Sequence, residues 1–211
     1  MIDLYTWGTP NGVKVSIALE EMGLDYKVFP INIMNDDQFD PEFLKISPNN
    51  KIPAIVDHDT NLSLMESGAI LMYLAEKTGQ LWPQDPATKW TVMQWLMWQM
   101  GGAGPFLGQA HHFLQFNKGV SEYAENRYGG EAKRLYGVLD KRLANVEFVA
   151  GAYSIADIAI FPWVSRFEWQ GININDCPNI KRWYRSIAER PAVQKGYAVP
   201  NESSVIAPLP E

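Results

Sequence analysis

The sequence predicts two units: an α/β unit over residues 1–79 and an all-helical unit over 89–211, joined by a linker at 80–88. Three observations carry this. Short β-like runs alternate with helical patterns up to residue 79, and strand signals nearly vanish beyond it. The boundary Gly79-Gln80-Leu81-Trp82-Pro83-Gln84-Asp85-Pro86 concentrates proline and glycine as linkers do. A chain of 211 residues, 46% hydrophobic and 20% charged, can bury a core without disulfides or metal, which excludes disorder, collagen and coiled coil.

The elements follow from local chemistry. Ile2–Thr6 reads as a strand. Thr9 caps a helix whose first residue is Pro10; Val15, Ala18, Leu19 and Met22 recur at helical spacing, and Gly23 ends it. Tyr26–Ile33 is a second strand, placed at a sheet edge by Pro30. Pro41–Ile46 is a short helix, Ala54–Asp57 and Leu62–Leu64 form a hairpin around His58-Asp59-Thr60-Asn61, and Ser67–Lys77 closes the unit as a helix. The order βαβ then αββα is that of a thioredoxin-like fold. In the second unit, Thr88–Gly101 is apolar on nearly every side, with Trp90, Met93, Trp95, Met97, Trp98 and Met100. Such a helix is buried on two sides, against its own domain and a cleft or partner. Leu135 to Val146 marks a long amphipathic helix. Ser154-Ile155-Ala156-Asp157 has the spacing of a capping box, with Tyr153 and Ile158 placed for a hydrophobic staple. The tail from Val199 reads as a docked strap.

Charge narrows the function. Lys and Arg number 18 against 24 Asp and Glu, a net charge of −6, so the cation surplus that nucleic-acid binding needs is missing. The start Met1-Ile2-Asp3-Leu4 lacks the basic and apolar regions of a signal peptide, and a single cysteine, Cys177, fits a reducing compartment; the expected location is cytoplasmic. Lys89, Gln94, Gln99 and the Gly101-Gly102 break leave the 88–101 segment too short an apolar span to cross a membrane.

Three motifs carry chemistry. Thioredoxin-like redox enzymes place Cys-x-x-Cys at the start of the first helix, where the dipole favours a thiolate. Here that position reads Thr9-Pro10-Asn11-Gly12: the helix end is kept and the sulfur is not, so it either stabilises a thiolate brought by a ligand or is simply a cap. Asn50-Lys51-Ile52-Pro53-Ala54-Ile55 places a proline at the opening of a buried strand, where a cis bond would expose the Ile52 backbone to an extended peptide. In Glu66-Ser67-Gly68, Ser67 as a helix cap offers donors to a carboxylate and Glu66 an acceptor to an ammonium, which together match an α-amino acid head group.

Tyr5 to Gly12, Ser47-Pro48-Asn49-Asn50-Lys51-Ile52-Pro53, Glu66-Ser67-Gly68-Ala69-Ile70 and Ser154-Ile155-Ala156-Asp157 together resemble the cytosolic glutathione transferases over essentially the whole chain. Thr9-Pro10-Asn11-Gly12, Gly108-Gln109-Ala110-His111-His112-Phe113 and Arg127-Tyr128 resemble the nu-class bacterial disulfide-bond oxidoreductases, relatives of the yeast nitrogen-regulation prion protein. The resemblance implies a glutathione site. The γ-glutamyl head would lie on Glu66 and Ser67, the cysteinyl backbone on Ile52 beside Pro53, the glycyl end or backbone at Gln38 and Lys51, and the sulfur at Thr9 and Asn11. Arg127 would meet the carboxylate of a second glutathione, or of the other half of a glutathione disulfide. It also implies a homodimer and a glutathione-dependent disulfide-bond reductase, with weak transferase or peroxidase side activity on small disulfide or peroxide substrates. Thr9 and Asn11 would be catalytic, glutathione a co-substrate, and no metal, nucleic acid or membrane is called for. The rival readings are conjugation of glutathione to electrophiles and non-catalytic, regulatory glutathione binding.

Tyr5 lies within a strand and reads as core. His111 and His112 are adjacent, so a helix points them apart and no third metal ligand joins them; they are expected to border the cleft. Cys177, between Asp176 and Pro178, has no basic neighbour to activate it.

Overall fold

The computed structural model describes residues 1–201 and 205–210; part of the tail read as a strap, residues 202–204 and 211, lies outside them. The described chain separates into two units: Met1–Trp82 with Glu189–Ile206, and Pro83–Ala188 with Ala207–Glu211.

The first unit runs β1 (Ile2–Thr6), α1 (Pro10–Glu21), β2 (Tyr26–Pro30), α2 (Pro41–Ile46), β3 (Ala54–Asp57), β4 (Leu62–Met65) and α3 (Ser67–Thr78). The sheet order is β2-β1-β3-β4, with β1 and β2 parallel and the other pairs antiparallel, a thioredoxin-like arrangement. β2 lies at the edge, as its proline requires, but ends at Pro30 rather than Ile33, because the following residues turn into a loop closed by the Asp37 carboxylate on the Asn32 amide. Asp57, fully buried on β3, accepts from Tyr73 Oη and Lys77 Nζ, each at 2.6 Å. Burial opposes its ionisation, but those donors and the Asp59 amide outweigh it and hold the carboxyl below its ordinary range.

The second unit holds α4 (Pro86–Trp98), α5 (Gly104–His111), α6 (Glu122–Leu143), α7 (Ile155–Val164) and α8 (Pro178–Ala188). Asp85 caps α4 through the Thr88 amide, so α4 starts inside the segment expected as linker. Two π-helical turns, Gln99–Ala103 and His112–Phe116, flank α5, so Gly101-Gly102 widens the helix rather than breaking it. α6 stops at Leu143, short of Val146. The capping box of α7 is present: Ser154 Oγ accepts from the Ala156 amide, and Asp157 reaches back to the Ser154 amide. Asp157 also accepts from the Val149 amide and from Trp183 Nε1 at 2.8 Å, tying α7 to α8 and to the preceding loop. Burial pushes its carboxyl up to about 6 against those donors.

α9 (Pro191–Tyr197) clusters with the first unit, although the sequence placed all of 89–211 in the helical one. It packs on α1 through bare backbone: a Cβ on Gly196 would stand 2.7 Å from both the N and Cα of Ile17, and Ser16 Oγ donates to Gly196 O at 2.7 Å. Arg190 adds a forked pair to Glu21, at 2.6 and 2.8 Å. Gly196→Ala is therefore expected to push α9 off α1 and lower stability by about 1–3 kcal/mol, read as a lower urea midpoint. An unchanged midpoint would show that the close approach carries no load.

Candidate functional site

Strand register gathers the three motifs. Tyr5 of β1 pairs with Ala54 of β3, and Ala54 pairs with Met65 of β4. The residues just beyond these rungs, Thr9 after β1, Pro53 before β3 and Glu66 after β4, therefore emerge at one end of the sheet. The loop leading to Gln38 leaves from the same end, since the Ile31 amide donates to Thr6 O at 2.9 Å.

Thr9 caps α1 from an extended backbone, its hydroxyl accepting from the Gly12 amide at 3.2 Å, with Pro10 as the first helical residue. Gly12 is sterically required, because a Cβ there would lie 2.1 Å from Trp7 O. The first turn of α1 carries no acidic residue, so the positive end of its dipole is not neutralised from within. Thr9 and Asn11 are both half-buried there.

The Ile52–Pro53 bond is cis. Ile52 is half-buried, and neither its N–H nor its C=O has a hydrogen-bond partner among the described residues. Ser47 Oγ fixes the loop by donating to Lys51 O at 2.8 Å, while the Lys51 side chain is exposed. Gln38 donates through Nε2 to Asp36, and its Oε1 is buried with no partner among the described residues.

At α3 the cap is Glu66 rather than Ser67, because Ser67 already has helical geometry. Glu66 is held at φ 70°, ψ 110°, a costly conformation for a residue with a Cβ, and its exposed side chain makes no capping bond. Ser67 instead accepts from Lys14 Nζ at 3.3 Å. Sequence reasoning missed Lys14. The available signal was a lone charge in Val13-Lys14-Val15-Ser16-Ile17, a stretch otherwise fit only for an interior.

Tyr5 is stacked on Phe29 at 4.9 Å, and burial, helped by Asp3, pushes its phenol up, so it is a packing group rather than an activated hydroxyl. Arg127 lies in the other unit, exposed on α6. Cys177 also belongs there; burial and the Asp140 and Asp176 carboxylates raise its thiol, the reverse of activation. Among the described residues no group of three or more His, Cys, Asp or Glu could hold a metal ion, and no helix is long and apolar enough to cross a membrane.

Fold and site together define a two-unit protein of the thioredoxin-like class. Residues 1–76 match the glutathione S-transferase N-terminal domain and residues 105–191 the C-terminal domain, and the chain belongs to the glutathione S-transferase family. It is 50% identical over 198 residues to the disulfide-bond oxidoreductase YfcG of Escherichia coli (strain K12), a match covering 91% of this chain and 92% of that one. A glutathione transferase from Pseudomonas putida, whose crystal structure holds one glutathione disulfide per subunit, superposes with a TM-score of 0.91 at 47% identity, covering 95% and 92% of the two chains. One from Burkholderia graminis, with two glutathione molecules bound per subunit, superposes at 0.89 and 47% identity, covering 94% and 88%.

His111 is a structural residue of the helical unit. It is buried between Trp163 and Trp169 and bonded to Gln170 Nε2 at 3.0 Å; Gln170 in turn accepts from Tyr136 Oη at 2.6 Å. His112 is exposed. Burial, assisted by the Arg166 charge, pushes the His111 imidazole down from 6.5 to about 4. A pKa depressed on folding gives stability that is complete above 6.5 and is lost as pH falls toward 4. His111→Gln should remove this loss, so wild type should fall relative to the variant by about 3 kcal/mol across that window in urea unfolding. The Asp157 carboxyl works in the opposite direction but is common to both proteins. Parallel curves for the two proteins would contradict a neutral buried imidazole.

Proposed function

We propose that the protein is a glutathione-dependent disulfide-bond reductase whose reactive thiols are supplied by its ligands, two glutathione molecules or one glutathione disulfide per site. The observation that carries the reading is the start of α1: a hydroxyl cap, a carboxamide two residues on and no acid in the first turn, in a chain whose one cysteine lies in the other unit with a raised thiol. Such a helix end favours an anion at its tip and supplies no nucleophile of its own.

Glutathione binds with its γ-glutamyl head at Glu66 and Ser67, its cysteinyl backbone on Ile52 beside Pro53, and the remainder near Gln38 and Lys51. The sulfur lies at Thr9 and Asn11, which donate hydrogen bonds to its thiolate. That thiolate attacks a small disulfide RSSR; one S–S bond breaks, a mixed disulfide GSSR forms and RS⁻ leaves to take up a proton. A second glutathione thiolate attacks the mixed disulfide, giving GSSG and the second RS⁻. Two electrons pass from two glutathiones to the substrate. Weak conjugation or peroxide reduction would use the same thiolate. The reading includes a cytoplasmic homodimer, supported by α4, which leaves Trp90 68% and Met97 46% exposed two turns apart on one face.

The test is reduction of 2-hydroxyethyl disulfide by glutathione, coupled to glutathione reductase, for wild type and Asn11→Ala. Turnover well above background is expected, falling about tenfold or more in the variant for a lost hydrogen bond to a charged sulfur. No turnover with glutathione still bound by calorimetry would overturn the reductase reading in favour of conjugation or regulatory binding.

A further inference from the structure

Lys14 is fully buried on α1, one turn inside the helix, where lysine is almost never found unless paired. Burial pushes its amine down to about 7, and the Glu66 carboxylate pulls it back up. Packing alone gives no reason for an amine here, since a methionine fills similar volume without desolvating a charge. Its two identified neighbours do give one: Ser67, whose hydroxyl it holds at 3.3 Å, and Glu66, whose charge it feels, are the residues assigned above to the amino-acid head of the ligand.

The charges explain the pairing. Glu66 contributes −1, and an arriving γ-glutamyl head brings an ammonium and a carboxylate that cancel. Without another cation the complex would place a net negative charge at the start of α3. A protonated Lys14 behind Ser67 brings the sum to zero and places positive charge on the carboxylate side, opposite the acid that receives the ammonium. A hydroxyl that accepts from an ammonium is also fixed as a donor toward its other partner, the polarity a carboxylate needs.

We propose that Lys14 is a positioning residue for the γ-glutamyl carboxylate of glutathione, acting through the Ser67 hydroxyl and as the buried counter-charge to Glu66. The inference rests on the glutathione site proposed above and assigns it a specificity element for the α-carboxylate. Lys14 touches neither the sulfur nor the disulfide, so its effect falls on binding and not on the exchange step.

Binding of glutathione and of γ-aminobutyryl-cysteinyl-glycine, which lacks only the α-carboxylate, would be measured by calorimetry for wild type, Lys14→Met and Lys14→Gln. Wild type is expected to prefer glutathione, and Lys14→Met to lose about tenfold in glutathione affinity with little change for the analogue, so that the preference collapses. In the disulfide assay the KM for glutathione should rise by the same factor with kcat nearly unchanged. Lys14→Gln keeps a donor near Ser67 without the charge and carries the same comparison if the methionine variant does not fold. A folded variant that keeps the full wild-type preference overturns the role of Lys14 and leaves the glutathione site standing. No glutathione binding by wild type overturns both.

Discussion

Helix α1 is buried on every side, and much of the first unit follows from that constraint. Gly12 through Leu19 are buried without interruption, an unusual condition for a helix at one face of a sheet. It is met because α1 lies between the sheet, α3 and α9, the last drawn from the far end of the chain. A helix enclosed in this way must pair its polar side chains internally, and it does: Ser16 donates to Gly196 O and Lys14 to Ser67 Oγ. With its flanks sealed, the polar group α1 still offers is its N-terminal end, the one place where main-chain donors have no partner within the helix.

The same enclosure explains the form of the site. The sheet register sets the ends of β1, β3 and β4 side by side, so the α1 N-terminus, the Ile52–Pro53 backbone and the start of α3 share one edge. On the proposed reading each would meet a different part of a peptide-like thiol: main-chain pairing for the middle, opposite charges for the amino-acid head, and a dipole with hydroxyl and carboxamide donors for the sulfur. The dipole contributes about 0.3–1 kcal/mol and a hydrogen bond to a charged sulfur about 1.5–3 kcal/mol. These shift a thiol titration by a few units at most, so on the proposed reading holding two sulfurs in line would matter as much as activating either.

The sequence made most of this legible where local chemistry decides the outcome. Thr9-Pro10 and Ser154 to Asp157 are punctuation that works over three or four residues, and both caps form as read. Pro53 needed the fold as context, but its position before a buried strand was enough to point to it. Long-range packing was not legible. Gly196 looks like a small residue in a short helix until its contact with Ile17 is seen, so the clustering of α9 with the first unit is not legible in the sequence. Lys14 looks like a surface lysine unless the burial of its whole helix is known, and that burial depends on α9. Ser67 was read as a cap because serine usually caps; here Lys14 engages its hydroxyl and Glu66 takes the cap position at positive φ.

The central claim is that the α1 helix end acts on a sulfur the protein does not own. Its most direct test is the ultraviolet thiolate absorbance of bound glutathione, titrated against pH in wild type and in Thr9→Val. A bound thiol titrating at least a unit below the free value of about 8.5, and returning toward it when the Thr9 hydroxyl is removed, is the expected result. A bound thiol that titrates as free glutathione does, in both proteins, would contradict the account.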